Sequence, residues 1–347
     1  MEVNKKNFLE AVRGVTLVAN GADGIMDGEC IHFGEGRMEA FSRPLTIRRE
    51  FDTGLEAVAV EAGPLLDVVK AMPGDTISLD VENKQGKFLR VKAGRSRVTL
   101  PLRESNPPES QIITDYVTND MGVPIPDWFF PVITKAIQFT NPSDNRLAFQ
   151  SVHFTDTCIE AIEGYRAFRH TADMTWLVGG PGNVCYLGTM LMKALKAGTF
   201  THACSIGTGE LVLSGDGVVL VVHPIEIEYL KTAFLFGDLE EEPSPIIFGK
   251  LEEDLLSRIL IFGTKDDANL EVSVKGDKAL LRLTRFSDTL EEIVSVESQQ
   301  DEEFCIHPKS FAMGMELSDR LVVNRKKNFI RFVGHPQQSI GVVKVKK

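Results

Sequence analysis

Residues 146–170 read RLAFQSVHFTDTCIEAIEGYRAFRH, from Arg146 to His170. In 146–154 the side chains alternate, Leu147, Phe149 and Ser151 on one side and Ala148, Gln150 and Val152 on the other, which predicts a β-strand. Thr155-Asp156-Thr157 reads as a turn and 159–162 as a second strand. The tail Glu163-Gly164-Tyr165-Arg166 closes the unit and carries no catalytic signature. This strand–turn–strand unit recurs. Ile31 and Phe33 precede a strand at 37–41, Val152 and Phe154 precede one at 158–162, and Val272 and Val274 precede one at 279–283. The steps are about 120 residues each, too long for a solenoid unit and long enough for each copy to bury a core of its own.

Working outward, each copy is expected to open with a helix and carry a second one after further strands. The opening helices are placed at 3–18, after Asp127, and at 252–262, the second ones around Leu66, Leu191 and Phe311. Phe8, Ala11, Val12 and Val15 form one apolar stripe, and Leu65, Leu66, Val69 and Met72 another, started by Pro64 and stopped by Pro73-Gly74. Residues 116–125 are expected as a strand, 205–213 and 218–223 as a hairpin, 176–185 as a glycine-rich loop, and 340–345 as the last strand. Polar, proline-bearing runs at 103–110 and 237–245 read as linkers. The expected fold is α+β, three repeated domains of two helices on antiparallel sheet, at 1–112, 113–240 and 241–347.

A formal charge of −11 argues against ordinary gripping of DNA, which needs cations to displace counterions. It is compatible with a protein that surrounds DNA and keeps its cations on an inner surface. The five cysteines, Cys30, Cys158, Cys185, Cys204 and Cys305, are scattered with no CxxC, so buried thiols are expected rather than a disulfide or zinc framework. No cofactor or metal is expected. No apolar run reaches membrane length and MEVNKKNFLEAV lacks signal-peptide features, which places the chain in the cytoplasm by expectation.

GKFLRVKAGRSRVTLPL at 86–102, preceded by LLDVVKAMPGDTISL, resembles the first domain of the bacterial and phage DNA polymerase III β sliding clamp family. NRLAFQSVHFTDTCIEAIEGYRAF is similar to that family's second-domain motif, and LLSRILIFGTKDDANLEVSV to its third-domain helix and strand, so the resemblance spans nearly the whole chain. It implies a non-catalytic processivity factor. Two chains would join head to tail as a ring around duplex DNA, with helices lining the hole. DNA polymerase and a clamp loader would dock by short apolar peptides between the second and third domains.

Carried over residue by residue, the resemblance places the peptide cleft at Phe149, Ile162, Gly164, Tyr165, Arg166, Val342 and Val343, with Phe149 and Ile162 as wall and Tyr165 and Arg166 as rim. It places the ring interface at Val98 and Leu100 of one edge and Ile261 and Phe262 of the other. Toward DNA it turns the off-stripe helix residues Lys5, Lys6, Arg13, Lys70, Lys135, Lys193, Lys196, Arg258 and Lys309, all basic in an acidic chain. The alternatives are solvated helix faces for these and plain domain packing for the cleft residues. The chain departs from the family at its end, VVKVKK, at Glu163 and Tyr165 in place of aspartate and histidine, at HPIEIEYLKTAF, and in the neutral-to-acidic loop 20–27.

Two other functions compete. His153, Asp156, His170, His202 and Cys204 could belong to a hydrolase site, but no HExxH, GxSxG or Walker loop is present and Gly179-Gly180-Pro181-Gly182 lacks a phosphate-binding lysine. A multidomain binding or virion structural protein could share the repeat without forming a ring.

Overall fold

The computed structural model describes residues 1–347 except 20–28, 56, 84–85, 105–110, 120, 165, 237–243, 250, 264–267, 286–287, 326–328, 335–337 and 344–347. Both expected linkers therefore lie largely outside the described residues, as do Tyr165, the loop 20–27 and the Lys344–Lys347 tail. The chain divides into two compact units, one made of 1–137, 154–156 and 173–227, the other of 138–153, 157–172 and 228–347.

In the first unit the helix Lys5–Thr16 starts at Asn4, whose side chain accepts the Asn7 N–H at 3.1 Å. The expected start at Val3 is thus two residues early, because Val3 pairs with Ile77 in a sheet of order Glu2–Asn4, Thr76–Asn83, Lys87–Ala93, Ser96–Pro101. Phe8, Ala11, Val12 and Val15 are buried, as their spacing predicts, and this helix packs on Ala62–Ala71. The helices Phe129–Ile137 and Gly188–Ala197 form a second pair.

The two halves of this unit share one antiparallel sheet, because Val218–Val222 pairs with Leu45–Glu50, Leu220 opposite Ile47. Around that joint run His202–Ile206, Glu210–Gly215, Val218–Val222, Leu45–Glu50, Arg37–Ser42, Cys30–Gly34 and Val58–Glu61. The single strand expected at 205–213 is two, turned at Gly207-Thr208-Gly209, where both glycines have positive φ. Of the strand expected at 116–125, residues 116–119 belong to the helix Gln111–Asn119 and Val123–Pro124 is strand, paired with His202–Ile206. Ile113 and Tyr116 fall at helical spacing and pack together on Cys204, Val212 and Val221, so tertiary burial decides for helix.

The helix Lys5–Thr16 also meets Gly188–Ala197 at Gly14, where an added Cβ would lie 2.4 Å from the Ala197 carbonyl oxygen. Gly14→Ala is accordingly expected to cost about 1–3 kcal/mol through overpacking against backbone. Urea unfolding should show the loss; an unchanged midpoint would mean that the two helices do not meet there.

The second unit is built on strands in the order Cys158–Glu163, Arg166–Thr171, Gln338–Val343, Phe329–Val333, Arg320–Asn324, Ile246–Phe248, Asp288–Glu297, Lys278–Arg285, Leu270–Lys275, Glu302–Ile306, all neighbours antiparallel. The helices Glu253–Phe262 and Pro308–Met315 pair beside it. Phe311 of the latter packs edge-on against Phe248 and Phe332, with ring centroids 5.7 and 6.3 Å away. Each third of the sequence thus supplies a helix pair and antiparallel strands, the predicted α+β repeat. All five cysteines are buried, and no helix among the described residues is long and apolar enough to cross a membrane.

Candidate functional site

The stretch 146–170 folds differently from its simplest reading. Leu147–Gln150 is a single helical turn and only Ser151–Phe154 is strand. Helix-forming Leu, Ala and Gln favour the turn, and Ser151 Oγ donates back to the Leu147 carbonyl at 2.7 Å. The tail is also more than a closing turn: Arg166–Thr171 is a full strand, and it pairs on one side with Cys158–Glu163 and on the other with Gln338–Val343. That second pairing is a seam joining a strand from the middle of the chain to one near its end. Gly164 makes the turn possible with φ +49°.

Register sorts the seam into two faces, since directly opposed residues project the same way. Glu163 and Arg166 are opposed, as are Ala161 and Phe168, and these face the helices. Phe168 stacks on Phe139 at 5.6 Å, and Phe332, two strands away, meets Phe311. Arg166 is buried there. It bonds Glu163 and reaches Met313 Sδ at 3.0 Å, with its guanidinium 5.9 Å from the Phe139 ring centre. Burial pulls its pKa below the ordinary arginine value. The expected place at a cleft rim is therefore corrected: Arg166 is an interior pillar on the helix side.

The opposite face carries Ile162 opposite Ala167, Ala167 opposite Gly341, and Gly341 opposite Arg331. One step along it lie Glu160 opposite Arg169 and Arg169 opposite Ser339. Ile162 and Arg166, predicted to line one cleft, are thus on opposite faces of the sheet. Val342 is opposed to Arg166 and Ile330, and Val343 to Phe329, in backbone register.

Glu160 is 4 % exposed and fully engaged. One oxygen meets His153 Nδ1 at 2.9 Å; the other accepts from Arg169 at 2.7 and 2.9 Å and from the Thr232 hydroxyl at 2.7 Å. Burial raises the Glu160 carboxyl, but the bonds from His153 and Thr232 and the Arg169 charge more than offset it, leaving it below the usual range. Sequence reasoning missed this network; an acidic residue at an inward phase of an alternating strand was the available signal.

Phe149 is buried beneath Arg146, whose guanidinium lies 3.8 Å from the ring centre. Asp144 holds that guanidinium by two bonds, 2.8 and 2.9 Å, and also accepts the Arg146 N–H. These bonds lower the Asp144 carboxyl to about 2. Phe149 is thus a covered wall, with Arg146 as its outer surface.

The basic helix residues divide. Lys5 gives its ammonium to the Lys70 carbonyl at 3.2 Å and to that of Met72, closing the C-terminal end of a neighbouring helix. Lys70 lies 3.6 Å from Asp67, and Arg258 bonds Glu292 at 2.9 Å. Lys6, Arg13 and Lys196 are exposed with no carboxylate partner among the described residues; Lys193 and Lys135 are half-buried, and Lys309 is exposed.

Among the described residues, two of the open strand edges carry exposed apolar side chains on or beside them. Ser96–Pro101 ends its sheet, with Val98 36 % exposed and Leu100 buried. Asp288–Glu297 is covered on its second side only at Val296 and Glu297. Beside it Ile261 is 65 % exposed and Phe262 half-buried. Ile293, 70 % exposed, was not singled out from the sequence, although it is the one apolar residue at an outward phase of that strand. Edges this open invite pairing with another chain. No group of His, Cys, Asp and Glu among the described residues is arranged to hold a metal. His153, offered to the hydrolase alternative, is committed to Glu160 and stacks on Tyr229 at 4.3 Å.

No family model matches the sequence, and no curated protein matches it either. Solved structures do. A β sliding clamp from C. crescentus is similar over 100 % of this chain and 98 % of its own, with TM-score 0.82 and 13 % identity. The Helicobacter pylori β clamp bound to a DNA ligase peptide is similar over 100 % of both chains, with TM-score 0.80 and 13 % identity. The DNA polymerase sliding clamp of Bacillus subtilis gives TM-score 0.78 at 14 % identity over 100 % of this chain. The chain therefore has a three-repeat clamp fold along its full length.

Proposed function

We propose that this chain is the subunit of a DNA sliding clamp, a non-catalytic ring that tethers a replicative polymerase to duplex DNA in the cytoplasm. The observation that supports this most is the similarity of the whole chain, not one domain, to β sliding clamps. Repeats bounded at 1–112, 113–240 and 241–347 would make half a ring, so two chains joined head to tail would close it. In that ring the open edge at Ser96–Pro101 meets the open edge at Asp288–Glu297. Val98, Ile261 and Phe262 supply its apolar part, with Leu100 buried behind the edge.

Lys6, Arg13, Lys193 and Lys196 are the cations best placed to touch phosphates; Lys5, Lys70 and Arg258 have partners within the chain. Contacts to phosphate alone, without base reading, permit sliding. Changing Lys6, Arg13 and Lys196 together to glutamate is expected to flatten the salt dependence of DNA binding by about three units of log–log slope and to leave ring mass unchanged. An unaltered slope would remove these residues from the DNA surface.

Peptides of the polymerase and of a loader are proposed to dock at the seam of Arg166–Thr171 with Gln338–Val343. The Helicobacter pylori clamp carries a DNA ligase peptide, which supports a peptide-docking role. Register favours the face with Ile162 and Ala167 over the helix face occupied by Arg166.

A further inference from the structure

The Ile162 and Ala167 face of the seam already carries a segment of its own chain. After Glu228 the chain runs YLKTAFLF to Phe236. The Tyr229 ring stacks on His153 at 4.3 Å. Thr232, 3 % exposed, donates to Glu160 and accepts from Arg169 at 2.9 Å. Ala233–Phe236 is one helical turn packed on Gln338–Val343. The Leu235 carbonyl accepts from Arg331 Nη2 at 2.7 Å, and the Arg169 guanidinium lies 4.5 Å from the centre of the Phe236 ring.

Arg331 is 1 % exposed, and a guanidinium buried that deeply needs a fixed acceptor. Here the acceptor is a main-chain carbonyl of an apolar, aromatic turn. The floor beneath is low, because Ala167 and Gly341 occupy the row between Ile162 and Arg331. The face thus has the parts of a peptide groove: a shallow apolar floor, a donor at one side for a peptide carbonyl, and a flat cation for an aromatic ring.

We propose that residues 232–236 are a built-in occupant of the partner groove, and that partners are short apolar peptides that displace this turn. Such a peptide presents an aromatic side chain to Arg169 and a main-chain carbonyl to Arg331. The proposal rests on the clamp reading for the identity of the partners, though not for the groove itself. A tethered segment competes at an effective concentration on the order of millimolar, so it raises the affinity that a partner needs and suppresses weak ones.

The probe is the chain's own segment in trans, a fluorescently labelled peptide LKTAFLFGD copying 230–238. Its binding is measured to the full-length wild type, to Phe236→Ser, and to the double variant Leu235→Ser/Phe236→Ser, each checked for native circular dichroism and native mass. The wild type is expected to bind at least about tenfold more weakly than the double variant, with Phe236→Ser between them. Arg331→Met added to either variant is expected to abolish the gain. Equal binding to wild type and folded variants overturns the proposal, and so does no binding by a folded Phe236→Ser chain. Retention on circular DNA, measured on the same proteins, reports on the clamp reading separately. If that fails while the peptide still discriminates, the groove stands and the clamp reading falls.

Discussion

Ile261→Asp combined with Ile293→Asp is expected to reduce the native mass from two chains to one and to abolish stimulation of polymerase processivity. Both side chains are largely exposed, at 65 and 70 %, so the isolated chain loses little; exposed substitutions of this kind usually stay within about 0.5 kcal/mol. In a joint between open edges the new carboxylates would lose their hydration and put charge where apolar side chains had packed. An effect on assembly without an effect on melting temperature is the signature of an interface. Sedimentation equilibrium measures it. A dimer of wild-type affinity in the double variant would place the joint elsewhere and leave these residues as solvated surface.

Glu160→Ala is expected to be the most damaging single change in the second unit, at about 3–5 kcal/mol, because it strands the Arg169 guanidinium and His153 without their shared carboxylate. The effect also has a pH sign. The folded-state carboxyl lies below its ordinary value. Its contribution is therefore fully present above the unfolded glutamate pKa of about 4.3 and is lost as pH falls through the depressed folded value. Urea midpoints taken at neutral pH and through the acid range should show wild type and Glu160→Ala converging on acidification. A constant gap between them would mean that the carboxylate charge is not what holds the network.

The network also shows where sequence reading stops. The repeat, its helix pairs and most strands were legible because periodicity in apolar residues is a local property. Phe8 to Val15 and the Leu65 stripe fold as their spacing requires. The helix at Gln111–Asn119 was not legible as one, since its choice is made by Val212 and Val221 far along the chain. Arg166–Thr171 is not legible as a strand, since the expected tail closes at Arg166 and the strand is fixed by its two neighbours in the sheet. The family resemblance grouped Ile162 with Arg166, although strand pleating puts them on opposite faces. A strand–turn register, Ile162 against Ala167 and Glu163 against Arg166, was in principle available from Gly164 at the turn. The resemblance turns Lys5 and Arg258 toward DNA, and their partners lie 65 and 34 residues away in sequence, beyond local reading.

Topology tests the central claim most directly. The protein is placed on nicked circular duplex DNA with the clamp loader of its own replication machinery, unbound protein is removed at moderate salt, and the circle is then cut once by a restriction enzyme. A closed ring is expected to stay on the intact circle and to leave within minutes of the cut, by sliding off the ends. Protein that remains bound after linearisation, or that never outlasts the salt wash on the circle, would contradict the account.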